Sequence, residues 1–157
     1  MTGTCGVLKV AILLGLGVAS ILPEDLREVA GELGCGEIQG FYDRPGMVEP
    51  PFLYGYFPGP KEDSALFWCQ EATSGEFRFV SVRAGSSVNS FLWRNYPGGL
   101  SVAGRETWDL AEFRYVDAPD EPGPMEETSR PPVQSEYDGV ITLLYPLGDR
   151  WLFRILH

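Results

Sequence analysis

The sequence predicts a mainly β fold: an antiparallel β-sandwich or a curled, barrel-like sheet, preceded by one short N-terminal helix. Three observations predict it. Aromatic residues make up 13% of the chain, and 19 Gly and 13 Pro punctuate it; aromatics favour strands, and Gly and Pro favour the tight turns that join them. From Glu37 onward, short aromatic and β-branched runs alternate with Gly, Pro, Asp and Ser, the pattern of successive antiparallel strands. Several of these runs, Ala65-Leu66-Phe67-Trp68-Cys69 among them, have no polar face. That composition requires burial on both sides.

The first element is the apolar run VAILLGLGVASIL at residues 10–22. As a helix its 13 residues extend about 20 Å, short of the roughly 30 Å hydrocarbon core. Lys9 is the charged side chain of the leader, and Val18-Ala19-Ser20 offers small residues at a cleavage position, so residues 1–20 read as a signal peptide. The alternatives are an uncleaved membrane anchor and a core helix, the latter making the fold α+β. Residues 21–157 then form a single β-rich domain that is secreted or periplasmic; without cleavage the chain is membrane-anchored or cytoplasmic.

Residues 23–34 carry the helix. Pro23 suits a first turn, Glu24 and Asp25 complement the N-terminal dipole, Leu26, Val29, Ala30 and Leu33 recur at helical spacing, and Gly34 stops it. Strands follow at 37–43, 52–57, 65–71, 76–83, 90–95, 100–102, 112–116, 139–145 and 151–156. The last two make the clearest hairpin, turning through Pro146-Leu147-Gly148-Asp149-Arg150. Residues 117–132, dense in Pro and acids, read as a mobile exposed loop.

Removing the leader also removes Cys5 and leaves Cys35 and Cys69. In an oxidising compartment they pair, and in the chain-entropy model such a bridge stabilises the fold by roughly 3–4 kcal/mol. No Cys-x-x-Cys pair or Cys/His cluster supports a zinc or redox site.

The chain holds 22 acidic and 12 basic residues, a net charge of −10. This field repels nucleic acid and anionic membrane surfaces and draws cationic proteins. The one histidine is His157, and neither a nucleophile elbow nor a phosphate-binding glycine motif occurs. No catalytic residue, metal ligand or cofactor is assigned. Paired carboxylates are the one catalytic device available, with Glu37, Asp43, Glu71, Glu76, Glu112 and Asp138 in or beside strands; nothing selects a pair.

Two aromatic stretches suggest a binding surface instead. Tyr42, Tyr54 and Tyr56 fall in the first, where Tyr54-Gly55-Tyr56 reads as a same-face pair. In the second, alternation puts Phe91, Trp93 and Asn95 on one face and Leu92, Arg94 and Tyr96 on the other. Tyr and Trp present rigid amphipathic area at little entropic cost. The expectation is a non-enzymatic binding domain that neutralises a cationic protein through Tyr42, Tyr54, Tyr56, Trp93, Arg94 and Tyr96. A small-ligand carrier with an aromatic-lined cavity is the alternative, and a carboxylate hydrolase the next.

Overall fold

A computed structural model describes residues 21–39, 52–84, 88–104 and 106–157. The leader region 1–20, the stretch around Tyr42 and part of the predicted strand at 37–43 lie outside the described residues. Among the described residues the architecture is mainly β, with antiparallel sheets and one short helix, and no sheet closes into a barrel. The chain divides between Tyr96 and Pro97 into two compact units.

The first unit opens with helix α1 (Pro23–Glu32). Leu22 cannot cap it with a side chain, but the Asp25 carboxylate accepts from the Leu22 backbone N–H at 2.9 Å, which supplies half of a capping box. Gly34, at φ 84, takes the left-handed conformation that ends the helix and turns the chain into β1 (Cys35–Ile38). Strands β2 (Leu53–Tyr54), β3 (Ser64–Glu71), β4 (Phe77–Arg83) and β5 (Val88–Trp93) complete a sheet in which β1 and β2 share one edge of β3 and β4 then β5 follow on the other.

The expected two-sided burial is present in β3. Ala65, Phe67 and Cys69 meet Val80 and Val82 of β4 and the helix residues Leu26, Val29 and Ala30. On the opposite face Trp68 lies 4.9 Å from Phe79 and 6.3 Å from Trp93, ring centre to ring centre. Cys35 and Cys69 form the expected disulfide, joining β1 to β3. Its Cα–Cα distance of 5.7 Å is ordinary for a bridge between adjacent strands.

The second unit contains a six-stranded sheet in the order β6 (Gly99–Val102), β11 (Val133–Tyr137), β12 (Val140–Leu147), β13 (Arg150–Leu156), β8 (Arg114–Tyr115), β9 (Ala118–Pro122). A two-stranded ribbon pairs β7 (Trp108–Asp109) with β10 (Glu127–Thr128). One face of the larger sheet packs Leu143, Tyr145 and Leu152 against Trp108, Leu110 and Phe113. Two two-residue turns connect β11, β12 and β13. Asp138 and Gly139, at φ 50 and 80, make the first; Gly148, at φ 65, opens the second.

The sequence reading lacks β7 and β11, and its strand at 52–57 shortens to β2; two further segments also differ. Residues 117–132 hold β9 and β10 rather than an unbroken loop. Pro119 and Pro122 are accommodated because β9 is an edge strand, with one side free of ladder bonds. The residues 112–116 split into a 3-10 turn (Leu110–Glu112) and the short β8, because Asp109 caps the turn through the Ala111 N–H at 3.0 Å.

Candidate functional site

The β3–β4 hairpin closes through a turn that side chains fix from behind. Gly75 sits at φ 73 and its N–H donates to the Glu71 carbonyl at 3.0 Å. Ser74 Oγ donates to the Glu71 carboxylate at 3.0 Å and accepts from the Glu76 N–H at 3.2 Å. Gln70 Nε2 donates to the Gly75 carbonyl at 2.9 Å. Arg78, opposite Cys69 in the ladder, donates from Nε to Glu71 at 3.0 Å and from Nη1 to Ser90 at 2.9 Å. Its guanidinium holds the Glu71 carboxyl below the ordinary carboxylate value, with Ser74 adding to the effect and partial burial opposing it.

Beside this turn lies an open pocket of about 400 Å³. Phe77 and Trp93, direct partners across the β4–β5 ladder, form its apolar part. Tyr96 lines it too, 69% exposed, its ring 6.1 Å from that of Phe77. Glu76, Arg94 and Asn95 supply the polar rim. Among the described residues neither the Glu76 carboxylate nor the Arg94 guanidinium makes an ion pair.

Three of the six residues singled out from the sequence, Trp93, Arg94 and Tyr96, therefore line one pocket. Strict alternation would have parted Trp93 from Tyr96; β5 ends at Trp93, and beyond a strand end the period-2 rule no longer applies. The tyrosines of the first stretch are elsewhere. Tyr54 packs against Phe52, ring centres 6.0 Å apart, in the cluster beneath α1. Burial pushes its phenol up, and Arg27 partly offsets the rise. Tyr56 packs against Phe57 at 5.3 Å. Between them Gly55 adopts φ 76 after β2 has ended, so the alternation predicting a same-face pair stops at Tyr54. Tyr42 lies outside the described residues.

Residues of β3, of β4 and of the turn between them complete the pocket: Gln70, Ser74, Gly75, Glu76 and Phe77. The sequence singles out Glu76 as a candidate carboxylate, but no local signal joins it, Gln70 or Phe77 to Trp93, since only the ladder register brings Phe77 opposite Trp93.

No protein-family model, curated protein or solved structure matches this chain. Its chemistry must be read from its own residues.

Two of the carboxylates considered for hydrolysis are held in ion pairs. Glu71 pairs with Arg78, and Glu112 pairs with Arg154 at 2.6 Å; Asp138 sits in a hairpin turn, and Asp43 lies outside the described residues. Among the described residues Glu76 is the one carboxylate lining the pocket, where glycoside hydrolysis needs a flanking pair. Among the described residues no group of three or more His, Cys, Asp or Glu is placed to hold a metal ion. No helix there is long and apolar enough to cross a membrane. The arrangement combines a turn fixed by side-chain hydrogen bonds, aromatic faces and a rim of mixed donors and acceptors.

Proposed function

We propose that this chain is an exported, non-enzymatic binding domain that holds a cationic protein partner at the pocket formed by Phe77, Trp93 and Tyr96. The observation that carries the reading is Tyr96, exposed over a half-buried Phe77 at the mouth of that pocket. Exposed aromatics that pack on buried ones are pre-organised, and interface energy concentrates at such anchors. The net charge of −10 would speed the encounter with a basic partner, and the aromatics would set the lifetime of the complex. The Cys35–Cys69 bridge supports export, because disulfides persist in oxidising compartments. The carrier alternative draws support from the same pocket, whose volume falls in the range of small-molecule sites.

Two measurements test the proposal. The intact mass of protein recovered from the exported fraction of its native host should correspond to a chain beginning near Ser20 or Ile21; an uncut N-terminus with reactive thiols overturns export. A photo-crosslinking residue at position 96 should capture a basic protein in a salt-sensitive manner, while one at Tyr137 should not. Equal capture at both positions, or capture of an acidic partner indifferent to salt, overturns the binding surface.

A further inference from the structure

We infer that the pocket beside the β3–β4 turn receives a neutral pyranose, a sugar ring without net charge. The inference rests on the proposed binding role of this pocket and concerns only the group that enters it: the acidic field of the whole chain draws the cationic partner, while the pocket, with one charge of each sign on its rim, takes a neutral group that the partner displays.

The rim carries one carboxylate, Glu76, and one guanidinium, Arg94, neither ion-paired among the described residues. A cationic ligand paired with Glu76 shares the pocket with Arg94, and an anionic one on Arg94 shares it with Glu76. Either choice places a like charge beside the ligand, which opposes binding. A neutral ligand whose groups both donate and accept avoids the conflict. Glu76 accepts only, Arg94 donates only, and the Asn95 amide does both; sugar hydroxyls match all three.

The remaining wall fits the other side of such a ring. A pyranose has a face of C–H bonds, and aromatic rings present flat apolar area to it. Phe77 and Tyr96 are 6.1 Å apart with planes inclined by 53°, so they form a shallow angled bay, with the nearly buried Trp93 lining it as well. The approximately 400 Å³ volume falls in the range of small-molecule sites, and the pocket is open to one side, as a residue within a longer glycan requires. The fixed turn beneath it, with Ser74 and Gln70 already bonded to Glu71 and Gly75, means little ordering is needed on binding.

The test is an NMR titration of the disulfide-intact protein with three probes that share one ring: methyl glucoside, glucosamine and glucuronic acid. A parallel series uses methyl galactoside and methyl mannoside. The neutral glycosides should shift backbone amides at 74–77 and 93–96, with weak affinity of order 1 mM, and the two charged sugars should bind several-fold more weakly. Tyr96→Ala should reduce affinity at least tenfold. Glu76→Gln and Arg94→Met, exposed positions whose replacement spares the core, should each lower it while the spectrum stays dispersed. No shift with any neutral pyranoside, shifts away from this pocket, or tighter binding of a charged sugar overturns the inference. A free glycan and one displayed on a partner are separated by enzymatic deglycosylation of the species crosslinked at position 96. A crosslinked basic protein that neutral sugars do not displace sinks the sugar inference and leaves the binding role standing. Sugar binding without any crosslinked protein does the reverse.

Discussion

Arg78 and Glu71 face each other across the β3–β4 hairpin, with the guanidinium Nε donating to the carboxylate at 3.0 Å and both side chains 17% exposed. Because the Glu71 carboxyl titrates lower in the folded state than its ordinary value, the folded chain binds fewer protons there than the unfolded chain. The stabilisation is therefore complete above the ordinary glutamate value and is lost as pH falls through the lowered folded value. Arg78→Met should cost about 1–2 kcal/mol near neutrality and flatten the acid limb of the stability curve. Urea unfolding of both proteins across the acid range checks this; parallel acid limbs would contradict it.

Reduction of the Cys35–Cys69 bridge, which spans a sequence separation of 34, should lower stability by roughly 3–4 kcal/mol through the freed unfolded chain. Comparing urea midpoints with and without reductant measures it directly. The double variant Cys35→Ala/Cys69→Ala should match the reduced protein to within the cost of the small core change. An unchanged midpoint in reductant would rule the bridge out as a stabilising element.

Two glycines make a matched pair. A Cβ on Gly98 would come within 1.8 Å of the Glu136 carbonyl oxygen, whereas one on Gly104 would meet nothing within 4 Å. Gly98→Ala must push β11 aside and should cost more than about 2 kcal/mol; Gly104→Ala should be neutral or slightly stabilising. Thermal unfolding of the two variants side by side decides it, and equal effects would argue against the close approach.

Leu26 is fully buried between α1 and the sheet. Leu26→Ala removes its contacts with a surface that cannot follow the helix inward, and should cost about 2–5 kcal/mol. A loss below about 1 kcal/mol in equilibrium unfolding would mean that the helix is not docked as described.

Much of the fold was legible because burial on both faces leaves an uninterrupted apolar signal. The segment that became β3 stands out for that reason, β4, β12 and β13 stand out by aromatic and β-branched residues spaced by single polar ones, and α1 stands out by its spacing and its terminal Pro and Gly. β11 did not, since Gln134, Ser135 and Glu136 dilute its apolar pattern; the Asp138-Gly139 pair after it was the hairpin signal available. β9 was hidden by composition, as proline and acids that mark loops are also what an edge strand tolerates. In the candidate site, Trp93, Arg94 and Tyr96 were readable as a local aromatic stretch. Glu76 was readable only as one of six carboxylates with nothing to select it, and its place beside Gln70 and Phe77 was not, because that depends on a register between strands that no short stretch of sequence records. Tyr54 and Tyr56 looked equivalent until Gly55 turned the backbone between them.

The Cys35–Cys69 bridge has a further consequence for anyone handling the protein. The stretch between the two half-cystines includes β2 and most of β3, and the bridge ties both its ends to one sheet. A protease nick anywhere within that stretch adds one water and releases no fragment until reductant is supplied. On a non-reducing gel the cut and uncut chains would count as the same molecule.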